Sequence, residues 1–120
     1  MKLVYTSITG QSHRFVKKLD WLDKAIRLGP QGDEPNLTED FLLLVPTYES
    51  GLEYVDDFLE DHLNYCKGIL GSGNRNFGPD FCHTAKRLSK TYGLPLLHTF
   101  EYSGAPHDID YVKGILAHES

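Results

Sequence analysis

The sequence predicts an α/β domain, a doubly wound parallel sheet with helices on both faces. Three observations predict it. Short strand-like runs recur at Leu3 to Thr6, Phe41 to Val45, Gly68 to Leu70 and Pro95 to Phe100, and amphipathic stretches lie between them. Phe41-Leu42-Leu43-Leu44-Val45 has no polar position, as a parallel strand covered on both faces requires. Strict alternation of strand and helix also suits parallel neighbours, which need a right-handed crossover helix between them. Ligands of such sheets bind beyond the carboxyl ends of the strands, at the switch point.

Taken in order, Leu3 to Thr6 forms the first strand, and Phe15, Val16, Leu19 and Leu22 share one face of the helix after it. Ala25 to Leu28 reads as a weak edge strand, followed by a polar loop, Gly29 to Thr38, whose Pro and Gly residues forbid regular structure. After the Phe41 strand, Val55, Phe58, Leu59, His62 and Leu63 follow the i, i+3, i+4, i+7, i+8 rule of a second helix. Gly68 to Leu70 is the next strand. A third helical stripe, Phe81, Ala85, Leu88 and Tyr92, is closed by Gly93 and Pro95. Pro95 to Phe100 is the last strand. Ile109, Val112, Ile115 and Leu116 then mark a fourth helix, with Pro106 and Asp108 in its first turn. No repeat, low-complexity tract or linker interrupts the pattern, so residues 1–120 read as one domain.

A chain of 120 residues buries about two-thirds of its unfolded surface and needs no staples. Its net charge of −5 argues against nucleic acid as a partner, because neutralising phosphates takes a basic face. Cys66 and Cys82 are too far apart for a CxxC motif and read as buried small hydrophobes of a reducing compartment. Met1-Lys2 leads directly into a strand, and no apolar run approaches membrane-spanning length, so a cytoplasmic protein without a membrane partner is expected. His13, His62, His83, His98, His107 and His118 show neither H-x-x-x-H nor H-E-x-x-H spacing, so no metal site is assigned.

The functional residues are expected in four loops at strand ends: Ser7 to Ser12, Pro46 to Gly51, Gly71 to Gly78, and Tyr102 to Ala105. Ser7-Ile8-Thr9-Gly10-Gln11-Ser12 reads as an anion cradle, since amides at a helix N-terminus carry partial positive charge and three hydroxyls can add hydrogen bonds. The alternative is that Ser7, Thr9 and Ser12 only cap the helix. G-x-x-x-x-G-K-[ST] and G-x-G-x-x-G are both missing from this loop, which excludes the usual triphosphate and dinucleotide fingerprints. In Gly71-Ser72-Gly73-Asn74-Arg75-Asn76-Phe77-Gly78, glycines leave the backbone open to a flat ligand.

Ser7-x-Thr9-Gly10-x-Ser12 is similar to the phosphate loop of flavodoxins, and the run Gly71 to Gly78 resembles that of the NrdI family of flavodoxin-like proteins. Thr47-Tyr48 with Gly51, Phe81-Cys82, Pro95-Leu96 and Phe100-Glu101-Tyr102-Ser103-Gly104 extend the resemblance over most of the chain. It implies a flavodoxin-like five-stranded parallel sheet of order 2-1-3-4-5 binding one FMN noncovalently. The implied role is to supply an oxidant, superoxide or a close relative, to the dinuclear metal site of a class Ib-type ribonucleotide reductase small subunit. A flavin reductant such as a flavodoxin reductase is the second implied partner. The cofactor-binding residues would be Ser7, Ile8, Thr9, Gly10, Gln11 and Ser12; Thr47, Tyr48, Glu49, Ser50 and Gly51; and Ser72, Gly73, Asn74, Asn76, Phe77 and Gly78.

The residue chemistry suits that cofactor. Tyr48 and Phe77 offer aromatic faces, Gly51, Gly73 and Gly78 allow close backbone contact, and Asn74 and Asn76 match the donors and acceptors of a pyrimidine edge. A flavin carries its own redox chemistry, so no catalytic side chain is assigned. The chain departs from the family after Tyr48, where Glu49-Ser50-Gly51 replaces a longer glycine-rich stretch and leads into Glu53, Asp56, Asp57, Glu60 and Asp61. Those carboxylates read as the solvated face of a helix. A conventional electron-transfer flavodoxin is the neighbouring reading. A receiver-like signalling domain is disfavoured, because Leu3-Val4-Tyr5 is not followed by paired aspartates.

Overall fold

A computed structural model describes residues 1–7, 10–22, 24–29, 37–47, 53–74, 78 and 81–119. Strands β1 (Lys2–Tyr5), β2 (Ala25–Arg27), β3 (Phe41–Val45), β4 (Cys66–Gly73) and β5 (Leu96–Glu101) form one sheet. Helix α1 (Gln11–Lys18) follows β1, α2 (Glu53–Asp61) follows β3, α3 (His83–Tyr92) follows β4, and α4 (Pro106–Glu119) follows β5. Every pairing is parallel and the order is β2-β1-β3-β4-β5, the doubly wound arrangement that the alternation predicts. The chain reverses direction across the sheet between β1 and β3. That reversal makes the crevice at their carboxyl ends.

Burial explains why β3 has to be apolar throughout. Phe41, Leu43 and Val45 join one core with Val55, Phe58, Leu59, Ala85 and Leu88, while Leu42 and Leu44 join another with Phe15, Val16, Phe100, Val112 and Leu116. Helices α2 and α3 therefore cover one face, and α1 and α4 the other. A nine-residue helix such as α2 is not stable alone in water. It persists because Val55, Phe58 and Leu59 are fully buried, each worth about 1.5–3 kcal/mol.

Boundaries differ from the sequence expectation where tertiary contacts decide them. Gly71 to Gly73 are the end of β4 and not loop, because Val45 of β3 pairs with Gly71 while Thr99, Phe100 and Glu101 of β5 pair with Gly71, Ser72 and Gly73. Gly71 is a packing residue: a Cβ there would lie 2.5 Å from the Ala85 Cβ, so its lack of a side chain lets α3 rest on the strand. Leu22 is not on the buried face of α1. The helix stops at Lys18, Asp20 turns the chain with φ 62°, and Leu22 is 39% exposed. Leu63 is exposed too, in a 3-10 turn (Leu63–Tyr65) after α2. His62 is buried as its stripe position predicts, with Nδ1 2.9 Å from the Phe58 carbonyl oxygen. Trp21 packs against the α1–α4 core, Cys66 and Cys82 are buried thiols, and Gly93 closes α3 with φ 66°. Among the described residues, no helix is long and apolar enough to cross a membrane.

Candidate functional site

A cleft of about 380 Å³ opens at the carboxyl ends of the strands, lined by Gln11, Pro46, Thr47, Ser72, Gly73, Asn74 and Tyr102. Gln11 begins α1 after β1, Pro46 and Thr47 follow β3, Ser72 and Gly73 end β4, and Tyr102 follows β5. Described residues of all four expected loops thus line one cleft. Of the expected residues, Gln11, Thr47, Ser72, Gly73 and Asn74 line the cleft, and Ser7, Gly10 and Ser12 belong to the turn that leads into it. Gly78 is exposed and does not line it. Ile8, Thr9, Tyr48, Glu49, Ser50, Gly51, Asn76 and Phe77 lie outside the described residues. Pro46 and Tyr102, each the first residue of an expected loop though outside the cofactor-binding set, line the cleft as well.

The turn into α1 has the character of an anion site. Gly10 occupies the N-cap with φ 89°, and its N–H donates to Ser7 Oγ at 3.1 Å, so the Ser7 hydroxyl oxygen serves the turn itself. The first internal bond of the helix runs from the Arg14 N–H to the Gly10 carbonyl at 2.9 Å. Amides ahead of Arg14 have no acceptor within the helix. No side chain caps α1 and no acidic residue sits in its first turn, which leaves the positive end of its dipole uncompensated. Ser12 is 1% exposed, and its Oγ is buried without a hydrogen-bond partner among the described residues. Such a hydroxyl costs about 1–3 kcal/mol, so a helix-capping role does not explain Ser12.

Ties between neighbouring strand ends hold the rest of the cleft. Thr47 Oγ1 donates to the Ser72 carbonyl at 2.9 Å, and the Tyr102 N–H donates to the Gly73 carbonyl at 2.9 Å. Tyr5 OH lies 2.9 Å from His13 Nδ1, fixing the first turn of α1 to the end of β1. Burial pushes the Tyr5 phenol above its ordinary pKa, against a smaller opposing pull from Arg27. Of the acidic residues on α2, Asp56 pairs with Arg87 of α3 at 3.0 Å, and Asp57, Glu60 and Asp61 are exposed. The acidic segment therefore does find a basic counterweight, on a neighbouring helix.

A larger hollow of about 830 Å³ lies at the opposite, amino ends of the strands, between Met1, Asp40, Lys67, Leu97, Tyr111 and Ile115. Among the described residues no helix begins there, and its lining glycine, Gly114, lies within α4. The anion-binding features converge on the smaller cleft.

A parallel sheet of order 2-1-3-4-5 with a switch-point cleft and a hydroxyl-bearing turn into its first helix defines a flavodoxin-like protein. The family described as "NrdI Flavodoxin like" matches residues 3–114, and the chain belongs to that family. It is similar to Protein NrdI of Mesoplasma florum, 36% identical over 122 residues that cover 93% of this chain and 80% of that protein. It is also similar to Protein NrdI of Wigglesworthia glossinidia brevipalpis, 38% identical over 120 residues, 92% of this chain and 84% of the relative. Among solved structures, a short-chain flavodoxin associated with a non-canonical PDU bacterial microcompartment superposes with TM-score 0.64 at 18% identity, covering 99% of this chain and 97% of that one. A response regulator from Colwellia psychrerythraea superposes with TM-score 0.59 at 13% identity, covering 98% and 94%. At those identities the two structures show the fold alone.

Proposed function

We propose that the cleft binds one FMN noncovalently and that the protein uses it to supply an oxidant, superoxide or a close relative, to a class Ib-type ribonucleotide reductase small subunit. One observation carries the binding reading: the buried, unpartnered Ser12 Oγ in the first turn of α1, beside amides that have no helical acceptor. A phosphate group suits both. Ser7 and Gly10 shape that turn, and Ile8, Thr9 and Gln11 complete the cradle, with Thr9 adding a second hydroxyl. Thr47, Ser72, Gly73 and Asn74 surround space for the ring system. Tyr48 and Phe77 would supply aromatic faces, Glu49, Ser50 and Gly51 backbone edges, and Asn74 with Asn76 would read the pyrimidine.

The flavin, when bound, supplies electron transfer to dioxygen, and the chain assigns no side chain to acid, base or nucleophilic work. Its residues bind the phosphate, orient the ring and limit how far water reaches. Membership of the NrdI family supports association with ribonucleotide reductase; the small subunit as recipient, the cytoplasm as the compartment and a flavin reductase as electron source are the further parts of the proposal. The visible spectrum of the pure protein, before and after addition of FMN, tests the cofactor; a flavin band that survives gel filtration is expected, and protein that takes up no FMN sinks the reading. Reoxidising the reduced protein in air with the metal-loaded small subunit tests the recipient. Radical formation is expected, whereas none, with efficient electron transfer to other acceptors, assigns the protein as a conventional electron-transfer flavodoxin.

A further inference from the structure

The turn after β5 is tied down more heavily than its exposure requires. Lys18, the last residue of α1, directs its ammonium at three acceptors in that turn: Ser103 Oγ at 2.9 Å, the Gly104 carbonyl at 3.1 Å and the Ser103 carbonyl at 3.3 Å. An ammonium has three N–H donors, and the turn offers an acceptor for each. The turn is also closed by the Gly104 N–H donating to the Glu101 carbonyl at 2.9 Å, and it lies against α1 so closely that a Cβ on Gly104 would be 2.6 Å from Phe15 Cδ1. Phe15 is stacked in turn on Phe100 of β5, with ring centroids 4.0 Å apart.

The residue these contacts constrain is Tyr102. It takes φ 55°, a left-handed backbone unfavourable for a residue with a Cβ, and such geometry persists only where the surroundings impose it. Its N–H is held by the Gly73 carbonyl, and the residue lines the cleft while remaining 46% exposed. A half-exposed aromatic on a strained backbone, fixed from both sides at the rim of a cleft, is poorly explained by core packing. It is well explained as a preformed flat surface.

We propose that Tyr102 is an aromatic wall of the cleft for a planar heteroaromatic ligand, and that Lys18 is its positioning residue, acting by locking the turn to α1. The proposal deepens the flavin reading and rests on it. Lys18 does not line the cleft; it borders a separate hollow with Gly104, Pro106, Ile109 and Asp110, so its effect on a ligand would pass through the turn that carries Tyr102. A merely structural lysine on the surface would affect stability by its own small amount and leave the cleft alone.

Titration of flavin-free protein with FMN, followed by quenching of flavin fluorescence, separates these cases. Tyr102→Ala is expected to weaken binding about 3- to 10-fold, the scale of one aromatic pair, and Tyr102→Phe to leave it unchanged. Lys18→Met is expected to weaken binding about 2- to 5-fold, Lys18→Arg to restore it, and Lys18→Met to have no further effect when Tyr102 is already alanine. Thermal melts show that each variant is folded at the titration temperature. Losses that simply add in the double variant overturn the positioning role, as does a Lys18→Met protein that binds like wild type. Wild-type affinity in Tyr102→Ala overturns the aromatic wall. Wild-type protein that binds no FMN defeats the flavin reading itself, an outcome visible before any variant is made.

Discussion

Replacing Ser12 with alanine should move two measurements in opposite directions. In the flavin-free protein the Ser12 Oγ is buried without a partner, a desolvation cost of about 1–3 kcal/mol that the substitution removes. The oxygen-sized gap left behind cancels part of that gain, so the expected result is a free protein unchanged or stabilised by up to about 1 kcal/mol. For a chain of this length that is a rise in Tm of roughly 3–5 °C at most. On the proposed reading, the same hydroxyl donates to a phosphate oxygen of bound FMN, and a hydrogen bond to a charged group contributes about 1.5–3 kcal/mol. Its loss raises Kd roughly 10- to 150-fold. Thermal melts of the free protein and fluorescence titrations with FMN read the two quantities separately. A Ser12→Ala protein that melts lower than wild type when free, yet binds FMN equally well, would refute the phosphate assignment, because the hydroxyl would then serve the fold alone.

Other consequences follow from particular contacts. Gly71→Ala places a methyl group 2.5 Å from the Ala85 Cβ, so it should destabilise by about 1–3 kcal/mol in urea melts, and Ala85→Gly on the same chain should recover part of the loss. Burial raises the Asp108 carboxyl, but the Ala105 amide at 2.8 Å and His98 at 2.7 Å, with His107 beside them, outweigh that and hold its pKa below the ordinary value. Its stabilising effect is therefore complete above the unfolded pKa near about 3.9 and is lost as pH falls from there through the lower folded value. Asp108→Ala should cost about 1–2 kcal/mol at pH 7 and flatten the acid limb of urea midpoints measured from pH 7 to pH 2. Burial pushes the Cys66 thiol up to about 11, against weaker effects of Gly68 and Lys67, so a disulfide reagent at pH 8 should label it only once denaturant is added.

The sheet was legible because its signal is composition over several residues: β3 is apolar at every position because both its faces are covered, and no other half of the architecture can mimic that run. Helix ends were less legible, since the stripe Phe15, Val16, Leu19, Leu22 continues in register past the point where Asp20 turns the chain. Periodicity records which face a residue would occupy and carries nothing about whether the backbone is still helical there. The glycine run shows the same limit at the site. A missing Cβ looks identical whether a ligand or a helix needs the space, and Gly71 proves to yield its space to Ala85 of α3. Ser12 marks the opposite case. Its residue type made it a candidate for either a cap or a ligand contact, and its burial without a partner among the described residues is what favours the ligand contact. On the proposed reading, the acceptor that Ser12 Oγ lacks among the described residues is a dianionic phosphate at the positive end of α1, whose charge matches the place.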